Sequence, residues 1–380
     1  MLTDRSRELT STILGEKNSV RGWLQFDPSK DMRPHPDTDV DSYYIVSYAS
    51  DDYGHSFTVL FHVFLIYKPA PRAQVVVSVL DESTLDYLSQ VSVYALEEIR
   101  MAAVAASNEM ALEIRTPRAA LSGPSARRID ASFTAKLDGM TVGAICPGGE
   151  CRITMTHKAR GHILPNLVTG VIPFANGINY EYAFPIMETE GELAFKDRTF
   201  KVRGTSWFDR EWGTLGPSKW TWMAIGIDGL QISLWDQQSR DNPESFAAGE
   251  RAFATLLYPD GSVTVASVTV SETEMFRSSK SHQCYASSWS VSIPSQQLEL
   301  KLKLLSEDQE IVSDQEQISH NIRVTPRIEG KATVEGTQGG REVKGKAIVE
   351  MFNLFPLFAA ALAPVKAQAA PGLTLQPAHG

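Results

Sequence analysis

The segment KWTWMAIG (residues 219–226) is followed by the turn IDG (227–229) and by the segment LQISLWD (230–236). From Leu230 to Leu234 every second residue is aliphatic, and this two-residue period is typical of a strand with one buried face. The Asp-Gly pair of the turn supplies the positive φ angles that a tight hairpin needs. The stretch therefore predicts a β-hairpin.

Similar turn signals recur on both sides of this hairpin. Pro259-Asp260-Gly261 precedes a β-branched run, and Leu137-Asp138-Gly139-Met140 separates two further strand-like runs. Near the start of the chain, the apolar runs 43–48 and 57–64 flank a turn at 51–54. These patterns predict a series of hairpins through most of the chain.

Residues 95–107 are the main exception, because their Ala, Glu, Met and Leu content favours a helix by propensity. We expect part of this segment to form strand or a short helix. No alternation of helix and strand patterns is present, which disfavours a doubly wound nucleotide-binding fold. The sequence predicts a mostly β protein with two consecutive barrel or sandwich domains (residues 1–205 and 206–364) and a flexible tail (365–380).

The composition is that of a globular protein with a substantial core. The chain has 380 residues, of which 43% are hydrophobic and 21% are charged, and this length suggests two domains. Its 36 basic and 45 acidic side chains give a net charge of −9. Because nucleic-acid binding needs a basic surface to meet the phosphates, no nucleic acid is expected as a partner.

The three cysteines are too few for a disulfide scaffold. Cys146 and Cys151 bracket a Pro-Gly-Gly-Glu segment, so they are either unpaired thiols or a local loop disulfide. The N-terminus has no apolar secretory segment, and the apolar stretch 347–362 contains Glu350 and is too short to span a bilayer. We expect a cytoplasmic protein without a membrane span.

Five of the seven tryptophans lie within residues 207–235, and the segment GTSWFDREWG (204–213) overlaps the start of this region. One interpretation is structural: Arg210 holds Asp209 or Glu211 in a buried ion pair while tryptophans pack between sheets. The other is functional: an aromatic pocket raises the pKa of the unpaired carboxyl, which then acts as a general acid. Both interpretations hold if the buried ion-paired segment also lines the pocket.

The segment 204–213 resembles the Asp-Arg-Glu-Trp box of the AttH/CrtC-like family of lipocalin-like proteins, where the box follows a Gly-x-x-Trp strand. Three other segments resemble landmarks of that family: DSYYIV (41–46), YEYAFP with the turn EGEL (180–193) and GKAIVE (345–350). Together the landmarks span about residues 40–352. The resemblance implies two consecutive lipocalin-like β domains with the box near their junction.

The resemblance also limits the function. Members of the family include hydroxyneurosporene synthase and kievitone hydratase and, more distantly, fungal Diels–Alderases. The sequence contains no redox-cofactor motif, metal-ligand cluster or nucleophile triad, so we expect neither a cofactor nor a metal. The favoured hypothesis is a cofactor-independent cyclase of a hydrophobic polyene-like polyketide or terpenoid intermediate in secondary metabolism. The alternatives are a hydratase that adds water to an alkene and a non-catalytic binding protein for a lipophilic ligand.

Ten side chains are candidates for the site. Asp209 or Glu211 is the expected acid, Tyr182 is a hydroxyl donor, and His62 is either a satisfied core histidine or a catalytic pocket residue. His157, on a basic stretch, is expected on a solvated surface. The expected substrate-binding residues are hydroxyl donors, aromatic walls and one cation, namely Tyr44, Tyr180, Trp207, Trp212, Trp222 and Arg210.

Overall fold

The described part of the chain is almost entirely β structure. The computed structural model describes residues 28–106, 109–117, 128–136, 139–174, 177–216, 218–239, 252–313 and 324–354. Two curled antiparallel sheets follow each other along the chain, so the predicted fold class is confirmed. Within these residues no helix is long and apolar enough to cross a membrane. The predicted tail at 365–380 lies outside the described residues.

The first sheet has 13 strands. Its strands are β1 (Val40–Ser50), β2 (Ser56–Ile66), β3 (Arg72–Asp81), β4 (Tyr87–Tyr94), β5 (Arg100–Ala106), β6 (Glu109–Arg115), β7 (Asp130–Lys136), β8 (Gly139–Ile145), β9 (Cys151–Ala159), β10 (Leu164–Pro165), β11 (Val171–Phe174), β12 (Gly177–Phe195) and β13 (Arg198–Gly213).

The second sheet has 10 strands. Its strands are β14 (Ser218–Ile227), β15 (Leu230–Ser239), β16 (Ala252–Leu257), β17 (Val263–Ser267), β18 (Thr269–Arg277), β19 (Cys284–Ile293), β20 (Leu298–Leu304), β21 (Glu310–Ile311), β22 (Arg327–Gln338) and β23 (Arg341–Asn353). The described helical elements are short: one α-helical turn, α1 (Pro28–Asp31), and the 3-10 turns Leu96–Glu98, Pro147–Gly149 and Pro294–Gln296.

Both sheets have the same circular strand order. In each, the first and last strands pair near the middle (β1 with β13, and β14 with β23), while two consecutive strands form the edges (β4 and β5, and β17 and β18). Such an order curls each sheet towards a barrel. In the first sheet, Ser92 and Tyr94 of β4 hydrogen-bond the backbone of Ile129, next to β7, across the open side of the curl.

The predicted hairpins are confirmed where the structure describes them. Asp228 and Gly229 join β14 to β15 with φ angles of 44° and 84°. Gly261 (φ 83°) lies in the turn between β16 and β17, and Gly54 (φ 89°) in the turn between β1 and β2. Residues 137–138 lie outside the described residues, but β7 and β8 on either side of them pair with Lys136 opposite Gly139.

The segment with helical propensity forms a single 3-10 turn (Leu96–Glu98) and then β5, which pairs along its length with β6. Residue 107 lies outside the described residues. The expected override of propensity is therefore confirmed from 95 to 106. Its cause is tertiary, because pairing with β6 satisfies the backbone hydrogen bonds of β5 and outweighs the few tenths of a kcal/mol per residue of helix propensity.

Three apolar cores organise the molecule. One fills the curl of the first sheet, a second fills the curl of the second sheet, and the third lies between the two sheets. The third contains Tyr44 and Trp207 from the first sheet and Trp222 and Ile348 from the second. The two sheets therefore pack face to face through aromatic and aliphatic side chains.

The change of sheet falls between β13 and β14. β13 pairs with β1 and β12 up to Gly213, so residues 206–213, which we assigned to the second domain, belong to the first sheet. The predicted domain division at 205/206 stays a prediction. Close packing also explains Gly204 of β13, because a Cβ atom there would lie 2.0 Å from the Tyr48 carbonyl oxygen of β1.

The cysteines that bracket the short segment before β9 are unpaired. Cys146 and Cys151 are buried free thiols, and the backbone N–H of Cys146 donates to the Cys151 carbonyl at 2.9 Å. The first of the two alternatives, unpaired thiols, is the one that the structure contains.

Candidate functional site

A small cavity lies between the facing sheets, and we call it the central cavity. About 50 Å³ of it admits the centres of water-sized molecules, within about 530 Å³ of atom-free space that includes its open outer end. It is lined by Ser42, Tyr44, His62, Phe64, Glu181, Asp209, Glu211, Trp220, Trp222, Trp235, Arg327, Glu350 and Phe352. Five of the thirteen are only half-buried and mark its outer end, namely Phe64, Glu211, Trp220, Glu350 and Phe352.

Strand alternation and register bring the first-sheet residues together. Asp209 and Glu211 stand two positions apart on β13 and therefore share one face. Tyr44 of β1 lies opposite Asp209. Glu181 of β12 lies opposite Glu211. His62 of β2 lies opposite Tyr44, so one row across three strands carries a carboxyl, a phenol and an imidazole.

The second sheet contributes two rows. In the inner row Trp235, Trp222, Glu350 and Glu329 lie opposite one another on β15, β14, β23 and β22. In the outer row are Trp220, Phe352 and Arg327. The second sheet thus gives the cavity an aromatic wall, the Glu350 carboxyl and the Arg327 guanidinium, which face the carboxyls of the first sheet.

Five carboxyls, which we call the carboxyl cluster, meet in or behind the cavity. The Trp207 indole N–H donates to Asp209 Oδ2 at 2.8 Å, and the Asn179 side-chain amide donates to Glu211 Oε1 at 2.6 Å. The Trp220 indole donates to Glu350 Oε1 at 2.5 Å, and the Tyr44 hydroxyl donates to Glu329 Oε2 at 3.0 Å. The cluster consists of Glu181, Asp209, Glu211, Glu329 and Glu350.

Burial favours the protonated form of three carboxyls of the first sheet, Asp209, Glu181 and Glu211. Burial raises the pKa of Asp209 well above its usual value, against the Trp207 hydrogen bond that lowers it. Burial, with Asp209 and Glu211 beside it, likewise raises the pKa of Glu181 well above its usual value. Burial raises the pKa of Glu211 to about 7. Carboxyls that differ in this way can divide the roles of proton donor and proton acceptor at neutral pH.

His62 is a neutral imidazole in the same cavity. Burial lowers its pKa well below the usual value, and the nearby Arg327 charge adds to the shift. Its Nε2 is 2.9 Å from the Ser42 hydroxyl oxygen. Its Nδ1 and Asp209 Oδ1 are buried without a hydrogen-bond partner among the described residues. A buried polar atom without a partner needs an explanation, such as a bound water, a bound ligand or a catalytic role.

Five predicted site residues line the central cavity, namely Asp209, Glu211, His62, Tyr44 and Trp222. A sixth, Trp207, lies directly behind Asp209 and packs edge-on against Trp222 at 6.3 Å. The remaining four, Tyr180, Tyr182, Arg210 and Trp212, lie on the opposite face of the first sheet and do not line it. Their positions on β12 and β13 differ by one residue from those that face the cavity, which reverses the direction of the side chain.

Arg210 does not pair with either neighbour in the box. It forms a buried ion pair with Asp41, and its guanidinium carbon stacks 4.3 Å from the Tyr43 ring centroid. The expected pairing of Arg210 with Asp209 or Glu211 is therefore corrected, since alternate strand residues point to opposite faces. His157, which we expected on a solvated surface, is buried with 2% of its surface exposed. Its side chain faces the core of the first sheet, where Nδ1 is 3.1 Å from the Ser206 hydroxyl oxygen.

Sequence reasoning missed several lining residues. Glu181 stands between the two tyrosines that were selected, and Glu350 ends the last landmark segment, but neither was assigned to the site. Arg327 lines the cavity and Glu329 lies behind it, and both are charged residues in the buried first half of β22, which is a signal for function. In the described part of the chain, no three His, Cys, Asp or Glu side chains converge in a way that could hold a metal ion.

A protein-family model described as AttH-like matches residues 21–353. The chain belongs to the AttH-like family. The match covers both sheets and every residue that lines the central cavity.

The chain is similar to proteins named as a dehydratase and a hydratase, and to two further solved structures. The dehydratase asqC of Emericella nidulans is 28% identical over 207 residues, which are 53% of this chain and 58% of that protein's length. Kievitone hydratase from Nectria haematococca has a similar structure (TM-score 0.66, 20% identity, 89% of this chain and 96% of that one). CghA bound to Sch210972 is more distant (TM-score 0.57, 14% identity, 89% and 96%). An AttH protein from Nitrosomonas europaea also shares the fold (TM-score 0.66, 16% identity, 89% and 99%).

Proposed function

We propose that this AttH-like protein is an enzyme that adds water to, or removes it from, a hydrophobic small molecule at a carbon–carbon double bond. The observation that carries the proposal is the pair Asp209 and Glu211, two carboxyls with differently raised pKa values on one cavity face beside the Trp222 ring. Successive same-face residues on a strand are about 7 Å apart, which leaves room for a reacting carbon pair and a water molecule.

Asp209 is the proton donor in this proposal. Trp207 occupies its Oδ2, so the acid proton resides on Oδ1, which has no partner among the described residues. Glu211, with a pKa of about 7, is partly ionised at neutral pH and is the proton acceptor. The neutral His62 imidazole can hydrogen-bond the water or the substrate hydroxyl.

The chemistry balances in both directions. In hydration, the Asp209 proton goes to one alkene carbon, the water oxygen bonds to the other, and Glu211 accepts the proton that this water releases. In dehydration, the carboxylic acid protonates the leaving hydroxyl, the C–O bond breaks with its electron pair on water, and the partner carboxylate takes the proton from the adjacent carbon. The substrate gains or loses one water and the two carboxyls exchange proton states.

The relatives named as a dehydratase and a hydratase support this reaction class. The cyclisation that the sequence favoured stays a prediction, as does a role as a lipophilic-ligand binder. Cyclisation needs no proton transfer and would leave the buried carboxyls without a role, although burying each of them costs free energy.

The test is incubation of the protein with a panel of hydrophobic alkenes and the corresponding alcohols in water labelled with heavy oxygen, followed by mass spectrometry. We expect a product heavier or lighter by one water, with the label in every hydrated product. Asp209→Asn and Glu211→Gln should each lower the rate by about 10²–10⁴-fold. Glu188→Gln, at an exposed carboxyl, is the matched control and should leave the rate unchanged. A product of unchanged mass would indicate cyclisation, and recovery of unchanged ligand alone would indicate a binding protein.

A further inference from the structure

Arg327 is a buried cation in the wall of the central cavity. It begins β22, and only 3% of its surface is exposed. Its Nε donates to Glu329 Oε1 at 2.9 Å, and its guanidinium carbon lies 5.4 Å from the Phe352 ring centroid. Among the described residues that line the cavity, Arg327 is the single side chain with a permanent positive charge.

One end of this guanidinium is unused by the protein. Its Nη2 is buried and has no hydrogen-bond partner among the described residues. An unsatisfied buried donor costs free energy, and more when it is charged. The unsatisfied Nη2 group lies next to the cavity, as expected if a bound molecule supplies the missing acceptor.

Two features of the cavity indicate which kind of chemical group this acceptor is. Glu211 lines the same cavity and is partly ionised at neutral pH, so an anionic ligand would meet negative charge there. A neutral oxygen avoids this repulsion and still accepts an N–H bond. Trp220 and Phe352, 4.8 Å apart in the row of Arg327, offer apolar surface to the carbon skeleton beside that oxygen.

We propose that Arg327 Nη2 binds the carbonyl oxygen of a hydrophobic substrate in which the carbonyl is conjugated to the reacting double bond. The inference rests on the proposed water addition or removal and names its substrate class. Water oxygen bonds to the carbon distal to the carbonyl, and the double-bond electrons move towards the carbonyl oxygen. Arg327 stabilises the negative charge that develops there. The carbon next to the carbonyl then takes the Asp209 proton, and Glu211 holds the proton released by water.

The test separates binding from turnover. The probes are chalcone, an unsaturated ketone, and diphenylpropene, which has the same carbon skeleton without the oxygen. Binding is followed by quenching of tryptophan fluorescence, because Trp220, Trp222 and Trp235 line the cavity. We expect wild type to bind chalcone about tenfold or more tightly than diphenylpropene. Arg327→Met should abolish this preference while its affinity for diphenylpropene stays the same.

Two further variants keep the test decisive. The double variant Arg327→Met with Glu329→Leu removes both partners of the ion pair, so no buried charge of the pair is left uncompensated. It replaces the single variant in the binding test if that variant fails to fold. Asp209→Asn should retain the preference for chalcone and lose water addition. Equal affinity of wild type for both probes, no binding of either, or an equal loss of both affinities in Arg327→Met would overturn the role of Arg327. A carbonyl preference without hydration or dehydration of any panel compound would instead overturn the proposed function and leave the carbonyl site standing.

Discussion

The hydroxyl of Tyr44 on β1 donates a buried hydrogen bond to Oε2 of Glu329 on β22, at 3.0 Å and across 285 positions of the chain. The two residues belong to different sheets, so this bond crosses the apolar core between them. Burial and the neighbouring Glu350 raise the pKa of Glu329 well above its usual value. The Tyr44 hydroxyl occupies one oxygen of this carboxyl.

Tyr44→Phe should lower the free energy of unfolding by about 1–3 kcal/mol, because it leaves a buried Glu329 oxygen without its donor. Tyr43→Phe is the matched control, since its hydroxyl also donates a buried bond, to the Met32 carbonyl at 3.0 Å, but on the other face of β1. Urea denaturation measures both losses. Only Tyr44→Phe should also change ligand affinity at the central cavity, so equal affinities in the two variants would contradict its role there.

Trp207→Phe should move the alkaline limit of activity to higher pH. The Trp207 indole N–H bonds Asp209 Oδ2 and lowers the pKa of this acid, so its removal raises that pKa further and keeps the donor protonated longer. Trp222→Phe is the control, because its indole donates to Ser233 and not to a carboxyl. The measurement is the pH dependence of kcat. Identical shifts in both variants would assign the effect to packing instead of to the hydrogen bond.

Arg210→Met should destabilise the fold by about 3–5 kcal/mol, because it leaves Asp41 buried without its counter-charge. Arg203→Met, which removes an exposed ion pair with Asp52, should cost less than about 1 kcal/mol. Adding Asp41→Leu to Arg210→Met should recover part of the loss in urea denaturation. A double variant as unstable as the sum of the single variants would mean that the pair is not coupled.

Glu211→Gln should become more stable relative to wild type as the pH rises from 4.5 to about 7. Because burial raises the folded-state pKa of Glu211 from 4.5 to about 7, the folded state binds a proton that the unfolded chain has already released in this interval. The free energy of unfolding of wild type therefore falls with pH through this group, and glutamine abolishes the contribution. The measurement is urea denaturation at a series of pH values.

The matched control for the pH experiment is Glu188→Gln. Glu188 is exposed, and its hydrogen bond with Arg160 lowers its pKa, so its replacement should give no such rise between pH 4.5 and 7. His157, whose pKa burial lowers to about 4, acts in the opposite sense, because its contribution to stability is lost as the pH falls from 6.5 to 4. Because His157 is present in both proteins, its contribution cancels in the difference between the free energies of unfolding of variant and wild type. A flat difference for Glu211→Gln would contradict the raised pKa.

The strands could be predicted from the sequence because their signals are local. The Asp228-Gly229 turn has positive φ angles whatever lies elsewhere in the chain, and the alternation from Leu230 to Leu234 follows from the geometry of one strand. The segment 95–106 shows the limit of this reasoning, because its propensity favours helix while its pairing partner makes it a strand. Partners of this kind are not visible in a local pattern.

The site could be predicted only in part. The box identified Asp209 and Glu211, and both line the central cavity. It could not assign Arg210 to the opposite face, where the partner Asp41 is 169 positions earlier in the chain. Nor could it identify Arg327, whose place in the cavity follows from the pairing of β22 with β23 and from the packing of the two sheets.

The sequence by itself determined that the chain folds into hairpins, that its tryptophans gather between residues 207 and 235, and that two acidic residues two positions apart share a strand face. Those properties depend on turn angles and on a two-residue period, which neighbouring residues set. The tertiary structure alone decided which carboxyls meet, which cation joins them and which arginine is only structural. These outcomes depend on strand order and register between segments more than a hundred positions apart, where burial and desolvation act on groups that no local pattern brings together.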